Sequence, residues 1–337
     1  MADMAIQDTA HQHLPTDKCR LTIGLPVYNG EQYLTRAIES ILAQTFADFR
    51  LIILDNASTD RTAEIARHYL GRDRRVAYWR NQRNIGAGPN FNQAFKLSRT
   101  PYFKWAAHDD ELMPTYLERC VRALDATPEA VLAHSHVREV DEAGRVVRNY
   151  VPVDDAVGSP IRARRFASRV MLRGWCTEIF GVIRAEALTN SMMIASFAGS
   201  DLSLITELCL RGRFIIVPEP LFVHRLHSGR YSAAVLRETS GYSTSRQIMA
   251  WWDTSKKAQR WQMRWWIFFF TYFRIINRNI DGWPNRLRYY LIALRWLAVR
   301  NNCFDLAKDL IGAVSPWLLK RVMNLRRRLT ARPPRTV

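Results

Sequence analysis

The chain has 337 residues, 48% of them hydrophobic, enough for one large domain or two ordinary ones with a sizeable core. Its five cysteines (Cys19, Cys120, Cys176, Cys209, Cys303) lie far apart, which excludes a disulfide or zinc framework and reads as reduced thiols in a cytosolic compartment. The formal net charge of +18 is placed unevenly: residues 256–337 hold 18 Lys and Arg against 3 Asp and Glu, and eight of the 11 tryptophans lie from Trp251 onward. Residues 1–17 are polar without an apolar core, so a loose tail and no secretory signal are expected.

Arg20 to Val27 is an apolar run of strand type, ended by Tyr28-Asn29-Gly30. Glu31 to Gln44 sets Leu34, Ala37, Ile38 and Ile41 on one helical face. Phe49 to Leu54 reads as a second strand, stopped by Asp55-Asn56-Ala57-Ser58, and Arg61 to Leu70 as a helix. Val76 to Arg80 is a third strand, Pro89 to Leu97 a helix, and the run from Tyr102 a fourth strand that stops at His108-Asp109-Asp110. Pro114 to Ala126 places Leu117, Cys120, Val121 and Leu124 on one face. Alternation of this kind predicts a parallel sheet with right-handed crossovers.

From Ala130 the pattern changes. Ala130 to Ser135 is strand-like, and Val137–Val140 with Arg145–Tyr150 reads as a hairpin. Arg162 to Leu172 reads as a basic helix, Glu178 to Ile183 as a strand, and Ala185 to Asn190 as a short helix. Leu202, Leu204, Ile205 and Leu208 form a helical face ending at Arg211-Gly212, and Phe214 to Val217 is the last strand.

Three strand ends carry polar pairs on one expected rim: Tyr28-Asn29, Asp55-Asn56 and Asp109-Asp110. An aromatic ring to stack a base, with amides and carboxylates around it, makes a nucleotide pocket. Adjacent carboxylates repel, so a hard divalent cation, Mg²⁺ or Mn²⁺, is their natural partner. Taken alone, such a pair more often starts a solvated loop or caps a helix. Gly86-Ala87-Gly88 lacks the third glycine of a dinucleotide fingerprint and no P-loop is present. Diphosphate charge would then be met by metal and cationic side chains.

With these residues in order, the sequence resembles the family 2 glycosyltransferases, inverting enzymes of the GT-A fold, over roughly residues 20–230. The likeness rests on Leu25-Pro26-Val27-Tyr28-Asn29, on Leu54-Asp55-Asn56-Ala57-Ser58-Thr59-Asp60, on Arg83-Asn84-Ile85-Gly86 before Asn90, on His108-Asp109-Asp110, on Asp201 and on Arg225-Leu226-His227. It implies a GT-A type, mostly parallel sheet flanked by helices over residues 18–232. It also implies transfer of a sugar from a nucleotide-sugar donor to an acceptor hydroxyl; the membrane-associated reading of the C-terminal tail makes a lipid-linked or cell-surface glycan the expected acceptor. By the resemblance Tyr28 stacks on the base, with Pro26, Asn29, Asp55, Asn56, Asn84 and Asn90 lining the donor pocket. Asp109 binds the ribose, Asp110 and His227 hold the divalent metal, Arg225 meets the diphosphate, and Asp201 is the catalytic base. Two departures stand out: Asn56 occupies a position where the family often has a second Asp, and Ser200, not an acid, precedes Asp201.

On the residues alone, Asp201 reads as a helix N-cap, Glu178 as a surface acid, and His108 as either a third polar contact or a strand-end filler. A sugar-phosphate nucleotidyltransferase is disfavoured because the glycine-rich, lysine-bearing loop it needs is missing. A non-catalytic protein binding nucleic acid or an anionic membrane is the other alternative.

Residues 233–337 read as a helical, basic, tryptophan-rich extension. Arg264 and Arg274 bracket nine uncharged residues, too few for a spanning helix of ~20. This stretch and Arg288–Arg300 read as amphipathic helices in a membrane interface, with Trp and Tyr at headgroup level and Arg on anionic lipid. The alternative is a helical appendage packed on the catalytic domain. No nucleic-acid module is recognised, and the expected location is cytoplasmic, peripheral on the inner face of the membrane.

Overall fold

The computed structural model describes residues 19–171, 176–229, 249–256, 263–299, 302–315, 317–319 and 321–323. Every residue of β1 (Leu21–Val27) and β2 (Phe49–Asp55) is buried. Side chains of β2 alternate between two cores. Leu51 and Ile53 face one, with α1 (Leu34–Leu42) and α4 (Tyr116–Ala126); Ile52 and Leu54 face the other, with α7 (Ser200–Arg211). Burial on both sides is why these strands read as continuous apolar runs. The predicted faces of α1 and α4 are the buried ones, Leu34, Ala37, Ile38 and Ile41 on the first, Leu117, Cys120, Val121 and Leu124 on the second.

β1 pairs in parallel with β2 and with β4 (Tyr102–Trp105), and β2 with β3 (Val76–Arg80). α2 (Thr62–Leu70) and α3 (Ala87–Lys96) make the crossovers on either side of β3. Beyond β4 the sheet is mixed. β8 (Val182–Arg184) runs antiparallel to both β4 and β6 (Ala130–Val140), while β9 (Arg213–Arg225) lies parallel to β6. β5 (Glu111–Leu112) closes antiparallel on β9, and β7 (Val146–Tyr150) forms the predicted hairpin with β6. The order is β3-β2-β1-β4-β8-β6-β9-β5.

Two segments differ from their sequence pattern. Glu178–Ile183 is not one strand: Thr177–Phe180 forms a 3₁₀ turn, and β8 starts after it. The last strand does not stop at Val217 but continues through Pro218 and Pro220 to Arg225, 13 residues in all. Its register with β6 slips between Ser135↔Val217 and His136↔Pro220. That irregularity absorbs the prolines, which lack the N–H a ladder needs.

The described residues of the C-terminal region are mostly helical: α8 (Arg264–Asn279), α9 (Trp283–Arg295) and α10 (Asn302–Val314). Its inner aromatics are core. Phe268, Phe269 and Tyr272 pack with Phe166 and Val170 of α5 (Arg162–Met171) and with Phe197 and Leu210. α6 (Ala185–Leu188) is one turn after β8. No described helix is long and apolar enough to cross a membrane.

β4 also buries Lys104 completely. Its ammonium donates to the Phe180 carbonyl and lies 4.8 Å from the Tyr116 ring centroid and 5.6 Å from that of Phe222. Burial pushes its pKa down to about 7. The unfolded chain holds this proton up to about pH 10, so between the two values folding expels a proton and stability rises with pH. Lys104→Met therefore melts above the wild type near pH 6, and the gap narrows toward pH 9 in parallel thermal scans. A gap that stays constant across that range would contradict the buried-charge account.

Candidate active site

Two pairs of residues join β5 to the end of β9, Glu111 with Val223 and Leu112 with Phe222. This clamps the chain just after Asp109-Asp110 against Arg225 and His227. The backbone N–H of Arg225 donates to Asp110 Oδ1 at 3.0 Å, and His227 Nε2 lies 2.9 Å from Asp109 Oδ2. The Arg225 guanidinium ion-pairs with Glu111 and sits 5.5 Å from the Tyr33 ring centroid. The His227 ring packs on the same tyrosine, centroids 4.6 Å apart. Four predicted residues thus come together, but with partners the sequence did not indicate. His227 is on Asp109, and Arg225 presents its backbone to Asp110 while its guanidinium takes Glu111. Glu111 and Tyr33 were not foreseen. Their only signal was position, one directly after the carboxylate pair and the other opening α1.

At the β1 rim, Asn29 adopts φ 51°, a left-handed conformation that asparagine tolerates. Its N–H donates to Ser58 Oγ at 3.0 Å, and its Oδ1 accepts the Thr59 N–H at 2.8 Å. These bonds stitch the loop after β1 to the loop after β2. Tyr28 is 42% exposed, so its ring stands clear of the core. Pro26 lies one step back, inside β1 opposite Leu54. A Cβ on Gly30 would fall 2.7 Å from His108 Cδ2, so glycine is what lets the His108 imidazole pack against this loop.

The Asp55 carboxylate is fully buried and spoken for. It accepts from the Ser58 N–H and the Tyr78 hydroxyl, both at 2.7 Å, and ion-pairs with Arg80. Asn56 donates to Asn84 Oδ1 at 3.0 Å and accepts from Asn81 Nδ2 and the Ile85 N–H, each at 3.0 Å. Asn90 donates to the Leu54 carbonyl at 3.0 Å and accepts from Asn81 at 2.9 Å. Asp55, Asn56 and Asn90 are therefore held in place by this polar network. Asn81, absent from the predicted set, is its hub. Ala57, between Asn56 and Ser58, sits at φ 62°, a strain of the kind held in place at binding loops.

The loop at residues 84–86 is contacted by residues 252–254. Thr254 Oγ1 donates to the Asn84 carbonyl at 3.1 Å. Gly86 adopts φ 91°, and a Cβ there would lie 2.7 Å from Trp252 O and from Asp253 Cα. Residues 252–254, beyond the boundary expected at residues 232 and 233, thus lie in direct contact with the loop at residues 84–86.

Asp201 is the second residue of α7, whose N-cap is Gly199 with no side-chain cap bond, so the carboxylate is not the cap itself. The loop before it is tied to α3, where Asn92 donates to the Ile194 carbonyl at 2.8 Å and accepts the Ile194 N–H at 3.0 Å. Arg264 of α8 donates to the Ala198 carbonyl at 3.2 Å. Asp201 Oδ1 is buried and makes no hydrogen bond. Burial lifts its carboxyl above the usual range, opposed by backbone N–H groups and by the charges of Arg264 and Arg169. Glu178 is not a surface acid. The 3₁₀ turn carries it inward, where it pairs with Arg169, both side chains having no exposure. Burial raises the Glu178 carboxyl in turn, with Arg169 pulling the other way.

Among the described residues, no three His, Cys, Asp or Glu side chains gather as a metal cage. Mg²⁺ and its like need none when they bridge phosphates: one or two carboxylates suffice, with phosphate oxygens and water completing the shell. Asp110 beside the Asp109–His227 pair is a donor set of that kind.

An α/β sheet with an aromatic, amides and a carboxylate pair at its strand ends is the architecture of nucleotide-binding α/β proteins. The sequence profile described as Glycosyl transferase family 2 matches residues 22–190, half of the chain, and the chain belongs to that family. It is 33% identical over 138 residues to an uncharacterized glycosyltransferase of Methanocaldococcus jannaschii, covering 40% of this chain and 48% of that one. It is 31% identical over 129 residues to the chondroitin synthase of Escherichia coli, covering 38% and 19%. The chain thus spans half or less of the length of these relatives. Its fold is similar to that of S. aureus TarS 1–349, with a TM-score of 0.54 at 14% identity over 93% of this chain and 92% of that one. It is also similar to the mannosyltransferase PcManGT from Pyrobaculum calidifontis, solved with GDP-Man and Mn²⁺, with a TM-score of 0.53 at 16% identity over 95% and 83%. At these identities the likeness is one of fold, and the fold is the expected GT-A type.

Gly86→Ala tests the close approach at the loop before α3. A side chain there must displace the backbone of residues 252 and 253 as well as adopt an unfavourable φ. The expected cost is ~1–3 kcal/mol of stability, read by urea unfolding; an unchanged midpoint and slope would contradict the contact.

Proposed function

We propose that the protein transfers a sugar from a nucleotide-sugar donor to an acceptor hydroxyl with inversion at the anomeric carbon, the acceptor being a lipid-linked or cell-surface glycan. The observation that carries this reading is the convergence of Asp109 and Asp110 with Arg225 and His227 in a chain of family 2. In it the donor base stacks on Tyr28, over a pocket shaped by the Asp55–Arg80 pair and the asparagine network. Asp109, oriented by His227, receives the ribose hydroxyls. A divalent ion, Mg²⁺ or Mn²⁺, held by Asp110 and His227, would neutralise the charge that develops on the leaving diphosphate. Support for the donor class comes from two fold neighbours, TarS solved with UDP-GlcNAc and PcManGT solved with GDP-Man.

Asp201 is the base in this scheme. Its carboxylate takes the proton of the acceptor hydroxyl as that oxygen bonds to the anomeric carbon. The bond from carbon to the diphosphate oxygen breaks on the opposite face, and a single displacement inverts the configuration. Burial of Oδ1 without a partner supports the role, because a carboxylate made more basic by desolvation is a better proton acceptor. Arg169 and Arg264 oppose that shift and favour the ionised form.

Asp201→Asn should keep donor affinity and lose ~10²–10⁴ in kcat. The wild-type rate should fall as pH drops through the raised Asp201 titration, with the acid limb above the ordinary carboxylate range. A fully active Asp201→Asn protein would refute the assignment.

A further inference from the structure

α9 has two apolar sides. Ile292 and Ala293 point inward into the cluster shared with α5, α7 and α8. On the outside, Trp283, Leu287, Leu291 and Leu294 are 65%, 47%, 55% and 44% exposed. They stand at i, i+4, i+8 and i+11, which is one stripe of a helix. A helix packed on a core by one face normally turns polar residues to water on the other. Arg288 and Arg295, both exposed and seven residues apart, border the stripe. Residues 264–299 hold six arginines against a single aspartate. Val314, 85% exposed, and Trp317, 66% exposed, are further exposed apolar side chains of the C-terminal region.

We propose that this face docks on an anionic lipid surface, with α9 lying in the plane of the interface, its leucines among the acyl chains and Arg288 and Arg295 at the headgroups. Contiguous exposed apolar surface marks an interaction site, and the arginine border fixes the sign of the partner. A second copy of the chain would set one arginine-bordered stripe against another. A nucleic acid would find phosphate partners in the arginines but nothing to pair with the leucine stripe. An in-plane amphipathic helix needs apolar area on one side and cationic residues beside it, and α9 has both. The inner sides of the same helices are core, so deleting the region would unfold part of the catalytic unit and could not test the proposal.

The test is sedimentation of the full chain with vesicles of phosphatidylcholine alone or mixed with phosphatidylglycerol. Wild type should bind the mixed vesicles at least tenfold more tightly than the neutral ones, and less tightly as salt rises. The double substitution Leu287→Glu with Leu291→Glu should lose at least tenfold in binding while its thermal melting stays cooperative. Should that variant misfold, Arg288→Ser with Arg295→Ser touches only exposed side chains and should remove the preference for phosphatidylglycerol. Wild-type binding that ignores lipid charge, or substitutions that leave it unchanged, would overturn the proposal. So would a dimer in light scattering that the leucine substitutions dissociate, without vesicle binding, or an oligonucleotide that binds where vesicles do not.

Discussion

The two-residue ladder between Glu111–Leu112 and Phe222–Val223 is the constraint on which the candidate site depends. Asp109 and Asp110 leave β4 as adjacent like charges, an arrangement that favours solvent over order. The ladder presses them against the end of β9. There a backbone N–H meets one carboxylate and an imidazole meets the other. The Arg225–Glu111 pair keeps the ladder from sliding, and Tyr33 packs on both Arg225 and His227. Charge-assisted hydrogen bonds of this kind are stronger than neutral ones, so a short strand is enough.

Elsewhere, polar groups are buried to set shape. Asp55 is consumed by Ser58, Tyr78 and Arg80, and the asparagines by one another. A fully satisfied buried network is rigid, since every alternative leaves an unpaired group at low dielectric. Asp201 Oδ1 is the contrast, a buried oxygen without a hydrogen-bond partner. The C-terminal region takes part in both places. Residues 252–254 pack on the loop at residues 84–86, and Arg264 holds the turn before Asp201.

The N-terminal half of the fold was legible because its signals are local. Apolar period, strand length and the polar residues that end each run all lie within about ten positions, and β1 to β4 with α1 to α4 follow from them. β9 was legible only in its first residues, because Pro218 and Pro220 carry a break signal that a distant partner, β6, overrides by slipping register. Glu178 reads as a surface acid for a similar reason: nothing in the sequence announces its pairing with Arg169. The candidate site was legible by residue type but not by pairing. Asp109, Asp110, Arg225 and His227 do meet, yet which of them touch depends on a ladder between segments more than 100 positions apart. Asn81, Tyr33 and Glu111 have roles that exist only once those segments meet.

The central claim is that the rim around Asp109 and Asp110 is a nucleotide-sugar site completed by a divalent ion. Calorimetric titration of the protein with UDP, dTDP and GDP sugars, in Mn²⁺ or Mg²⁺ and again with chelator, tests it most directly. The account predicts selection of one donor, with affinity that collapses in chelator and in Asp110→Ala. A folded protein that binds no donor, or binds one equally well without metal and without Asp110, would contradict it.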